Sequence, residues 1–128
     1  MKILDKTFLK REGYTFLAIF VTLHFENRYK RYSKCWEILI AELKRLGLKY
    51  LIEDQYHSKL LTSIFIPQGL DFDHMHDFMY ERGFTIYPGK VNDYDTFRIA
   101  NIGALDYRDM EAFLKLLKEY LIMEKIHV

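Results

Sequence analysis

The chain has 128 residues, half of them hydrophobic, with ten Tyr and ten Phe: the length of one domain, with enough apolar material for a real core. Net charge is +1, and no basic block or stripe runs along it, which argues against a nucleic acid, a membrane surface or a strongly acidic partner. The single Cys35 cannot form an internal disulfide and suits a reducing cytoplasm.

Residues 1–25 stand apart as an arm or a set of short helices, with Gly13 as a break. The start, Met1-Lys2-Ile3-Leu4-Asp5-Lys6, lacks the apolar region and cleavage site of a signal peptide. Residues 16–23 form the most apolar run. It is far short of the ~20 apolar residues of a membrane span, so it reads as buried or as covered by another subunit.

Residues 26–128 form the domain proper. Tyr29, Tyr32, Trp36, Leu39, Ile40, Leu43 and Leu46 recur at three- and four-residue steps and predict a helix over 26–46. Gly47 falls at its C-terminal cap. A short strand is predicted over 48–52, a polar loop over 53–59, and a β-branched strand over 60–66, stopped by Pro67. Asp71 or Asp73 can cap a helix to about residue 82, with Phe72, Met75, Phe78 and Met79 as its buried stripe and Gly83 at its end. A strand is predicted over 84–87, a turn at Pro88-Gly89, and a second strand over 96–101. Asp106 caps the last helix, with Asp109 in a capping-box position. The order α-β-β-α-β-β-α predicts an α+β domain, a small and mainly antiparallel sheet with helices on one face.

In Thr96-Phe97-Arg98-Ile99-Ala100-Asn101, period-two alternation puts Thr96, Arg98 and Ala100 on one face and Phe97, Ile99 and Asn101 on the other. Phe97 and Ile99 belong toward the helices. Arg98 then points away from them, beside small Ala100. A guanidinium among apolar residues is costly unless it meets an anion, and arginine suits two-point capture of a carboxylate. Spacing alone favours the plainer alternative, a surface arginine paired with Asp or Glu.

Two motifs, Glu81-Arg82-Gly83-Phe84-Thr85-Ile86-Tyr87-Pro88-Gly89-Lys90 and Thr96-Phe97-Arg98-Ile99-Ala100-Asn101-Ile102-Gly103, are specific in combination. With Leu43-Lys44-Arg45-Leu46-Gly47 and Ile64-Phe65-Ile66-Pro67, they resemble the C-terminal small domain of 2-aminoethylphosphonate–pyruvate transaminase, a fold-type I (class V) aminotransferase that uses pyridoxal phosphate (PLP). The resemblance runs from about residue 28 to 121. It implies that Arg98 binds the carboxylate of pyruvate or alanine. It gives Lys90 no role. It also implies a separate large domain, because no lysine here lies in a recognisable cofactor motif and no glycine-rich loop leads into a helix to hold a phosphate. The chain alone is therefore expected to hold no cofactor and not to transaminate. Its expected partners are itself, as a dimer, or a chain carrying the PLP-binding large domain. The alternative is a non-catalytic module for interaction or small-anion binding, derived from that domain.

Other groupings read as structural. His74 and His76 lie two apart on a helix and cannot easily share a metal ion. Cys35 has no activating motif and reads as an ordinary helix residue. Asp93 and Asp95 sit in a turn-rich loop where Asp is expected for backbone reasons. Tyr29-Lys30-Arg31-Tyr32 is a single turn of base and aromatic, a weak nucleic-acid signal.

Overall fold

The computed structural model describes residues 15–128, with side chains from residue 25 onward. The arm expected over 1–25 lies outside the described residues up to residue 14. The chain divides into two units, one up to Arg31 and the other Tyr32–Val128. Helix α1, Thr15–Leu46, runs through both. It ends where Gly47 predicts, with Gly47 at φ 78°, and begins upstream of the expected residue 26. In the first unit Tyr29, expected on the apolar face, is half exposed.

The second unit is built on a three-stranded antiparallel sheet ordered β1-β3-β2, where β1 is Leu61–Phe65, β2 Tyr87–Val91 and β3 Tyr94–Ala100. Helix α2, Phe72–Tyr80, sits between β1 and β2 in the chain, and α3, Tyr107–Met123, follows β3. Both caps follow the sequence. The Asp71 side chain accepts from the His74 backbone N–H, and Asp106 and Asp109 form a reciprocal capping box.

One face of the sheet carries the core. Thr62 and Ile64 of β1 and Phe97 and Ile99 of β3 are buried against Trp36, Leu39, Ile40 and Leu43 of α1, Met75 and Met79 of α2, and Phe113, Leu117 and Tyr120 of α3. Thr62 faces Ile99 and Ile64 faces Phe97 across the ladder, the close contact that stabilises an antiparallel pair. Phe72 and Phe78 pack at the margin, half-buried.

Two elements differ from expectation. The strand over 48–52 shrinks to one bridge, Tyr50 to Ile64, flanked by Leu51 N–H donating to Ser63 O and Phe65 N–H to Lys49 O. Leu48 is anchored in the core, and the chain then bends into a 3-10 turn, Asp54–Tyr56, too soon for a ladder. The second difference is β2, which starts where the expected strand ends. Pro88 and Gly89 lie inside it, and the turn falls at Asn92-Asp93, with Asn92 at φ 53°. A two-residue hairpin is closed by a hydrogen-bonded pair, here Val91–Tyr94. Alternation along the ladder then turns Pro88 outward on an edge strand, where its missing N–H is not needed.

Candidate functional site

The second face of the sheet lies opposite the core. Across the three strands it presents Leu61, Ser63 and Phe65, then Tyr94, Thr96, Arg98 and Ala100, then Tyr87, Gly89 and Val91. Three of its apolar members are exposed, Leu61 at 44 %, Tyr87 at 55 % and Tyr94 at 58 %, while Phe65, Val91 and Ala100 are half-buried. The Phe65 and Tyr94 rings meet edge to face at 5.5 Å between centroids.

Arg98 stands at the centre of this face, on the middle strand, between Ser63 and Tyr87. It is half-buried, while its neighbours Phe97 and Ile99 are buried on the opposite side. Sequence alternation therefore places it correctly. The plainer alternative, an Asp or Glu partner, is not found: among the described residues the ion pairs join other groups. Its position has a second cause, invisible to alternation. A Cβ on Gly89 would lie 2.7 Å from Arg98 Nε and 3.1 Å from Arg98 Cγ. The arginine stem thus crosses from β3 over the bare backbone of β2. Beside it, Thr96 is buried and its Oγ1 donates to Gly89 O at 2.9 Å.

At the far end of β3, Asn101 is fully buried and ties three segments together. Its Nδ2 donates to Tyr32 O and to Lys59 O, while its backbone N–H donates to Leu60 O. The Tyr32 hydroxyl accepts from Gly103 N–H at 3.0 Å. The loop entering β1 is further fixed by His57, whose ring lies 5.2 Å from that of Trp36 and whose Nδ1 accepts the Lys59 backbone N–H. Burial holds the His57 pKa below its ordinary value, against the opposing pull of Asp54.

The remaining groupings are structural. His74 Nδ1 meets Tyr120 OH at 3.0 Å, while His76 pairs with Asp77, so the two histidines serve different partners. No group of three or more potential metal ligands exists among the described residues. Burial, then the charges of Glu124 and Asp71, push the Tyr120 hydroxyl up to about 12. Cys35 is buried in the core. Asp54 accepts from Lys44 and Tyr50, and the Lys44 bond holds its carboxyl below the ordinary range. No helix of the described residues is long and apolar enough to cross a membrane.

Each described lysine is exposed except Lys59, whose ammonium is engaged over the Trp36 ring at 5.2 Å. A phosphate would seek a helix N-terminus, but those of α2 and α3 are closed by the carboxylates of Asp71 and Asp106.

This sheet and its three helices define the class: the fold is that of a domain of the aminotransferases. The ureidoglycine–glyoxylate aminotransferase of Bacillus subtilis superimposes with a TM-score of 0.71 over 91 % of this chain and 30 % of its own, at 22 % identity. The alanine–glyoxylate aminotransferase of Nostoc sp. gives 0.65 over 73 % and 26 %, at 21 % identity. Sequence similarity then singles out one group, and the chain resembles the C-terminal domain of 2-aminoethylphosphonate–pyruvate transaminase, as its motifs predict. The transaminase of that name from Lysinibacillus sphaericus is 36 % identical over 98 residues, 76 % of this chain. That of Phocaeicola vulgatus is 36 % identical over 94 residues, 73 % of this chain. A bifunctional phosphonoacetaldehyde hydrolase/aminoethylphosphonate transaminase of Clostridioides difficile is 36 % identical over 98 residues, 75 % of this chain and 15 % of its own length. No family model matches the chain. The chain spans about a quarter of the two transaminases, 27 % and 26 % of their lengths.

Proposed function

We propose that this chain acts as the small domain of a 2-aminoethylphosphonate:pyruvate transaminase, and that Arg98 anchors the carboxylate of pyruvate or alanine. The observation that carries the reading is Arg98 itself: a half-buried guanidinium at the centre of the sheet face that keeps Leu61, Tyr87 and Tyr94 exposed, with no ion-pair partner among the described residues. A guanidinium so placed gains most from a planar anion that takes two parallel hydrogen bonds. The amino group would pass from 2-aminoethylphosphonate to pyruvate, leaving phosphonoacetaldehyde and alanine. PLP, which supplies the electron sink for such transfers, would be held by a large domain, carried on a separate chain or on further polypeptide. That domain would cover the open face around Leu61, Tyr87 and Tyr94.

The test is Arg98→Ala in the complete enzyme, assayed for alanine formed from pyruvate. Losing a bidentate charge-assisted contact worth about 3 kcal/mol should raise the KM for pyruvate on the order of 100-fold. An unchanged KM would sink the assignment.

A further inference from the structure

We infer that Gly89 and Thr96 are positioning residues for Arg98: the missing side chain at Gly89 is the seat over which the arginine lies, and Thr96 holds that seat in place. The inference deepens the carboxylate-anchor reading and rests on it only for the ligand.

Gly89 does not owe its identity to backbone conformation. Four other glycines adopt positive φ, whereas Gly89 sits in an ordinary strand. Glycine in a strand interior weakens the strand and marks a close approach. Here the approaching group is identified. A methyl at position 89 would meet Arg98 Nε at 2.7 Å, Thr96 Oγ1 at 2.8 Å and Arg98 Cγ at 3.1 Å. The first two distances are below any real carbon contact. Thr96 is 1 % exposed and committed to Gly89 O, so it has little room to give. The arginine, half-buried on an open face, is the group that must move.

A strand partner alone does not require a glycine here. On the same face of β2, Tyr87 stands directly opposite Arg98 and Val91 opposite Tyr94, so full-sized side chains fit on either side of Gly89. Only the position crossed by the arginine stem is bare. Clearing it lets the stem lie flat across β2 and fixes the direction of the guanidinium before a ligand arrives. Such preorganisation reduces the ordering cost of binding.

The experiment uses the full chain with 15N-labelled arginine. The Arg98 Nε–Hε resonance is assigned by its loss in Arg98→Lys. In Gly89→Ala this resonance is expected to shift and to exchange faster with water, while resonances remote from residues 87–98 stay in place. Thr96→Ala, which removes the bond to Gly89 O and adds no atom, should move it in the same sense by less. An Arg98 resonance unmoved by Gly89→Ala would overturn the inference. Should Gly89→Ala fail to fold, the triple variant Gly89→Ala/Thr96→Ala/Arg98→Ala removes all three close contacts and is expected to recover folding. A triple variant as impaired as the single one would equally overturn it. Pyruvate titrated into the complete enzyme reads the other proposal separately: if it leaves the Arg98 resonance in place, the carboxylate reading fails while the seat stands.

Discussion

At the scale of single residues, the best-defined group outside the arginine site is His57. Its Nδ1 accepts a backbone N–H and its ring packs on Trp36, so the folded protein prefers the neutral imidazole. The folded pKa lies below the ordinary value, so the unfolded chain takes up a proton first as pH falls. The stability contributed by neutral His57 is therefore fully present above about pH 6.5 and is lost as pH falls toward the depressed folded pKa. Thermal midpoints followed by fluorescence of Trp36, the only tryptophan, should drop on acidification. The drop should be smaller in His57→Gln, and equal slopes in both proteins would contradict the account. Little of this was legible beforehand. Alternation placed Arg98 on the correct face because a strand offers only two. The pairings of Asn101 with Tyr32 and of His57 with Trp36 span long stretches of chain, and no local pattern reports them. Gly89 did leave a signal, a glycine beside a proline, but the pattern matched a turn as well as a strand carrying a close contact.

At the scale of elements, the sequence announces its helices better than its strands. Gly47, Gly83 and Asp106 each stand at a helix end, since capping depends on one residue and its immediate neighbours. The Asp106 side chain accepts two backbone N–H groups, and its own backbone N–H donates to the Asp109 carboxylate. Asp106→Ala should cost about 1–2 kcal/mol, seen as a midpoint lower by a few degrees, and Asp106→Ser should recover most of it. Equal losses in the two variants would show that the cap contributes little. Strand boundaries, by contrast, depend on partners. Pro88-Gly89 carries a strong turn signal, and only pairing with β3 reveals that the proline faces outward and that the chain reverses at Asn92-Asp93. Residues 48–52 have strand composition but find only one bridge.

Among the described residues, taken as a whole, one sheet face packs against buried side chains of α1, α2 and α3, and the other keeps Leu61, Tyr87 and Tyr94 exposed around a half-buried arginine. A surface that mixes Leu61, Phe65, Tyr87 and Tyr94 with a central guanidinium suits a second body that brings both apolar cover and an anion. The chain spans about a quarter of the transaminases it resembles. The function proposed here thus depends on a large domain bearing a PLP lysine. The most direct test is to purify this protein with its native associates, reduce with borohydride, and map pyridoxyl-lysine by mass spectrometry. The account predicts a lysine-linked adduct on co-purifying polypeptide outside residues 1–128. A preparation free of any such adduct, with this chain alone, would contradict it.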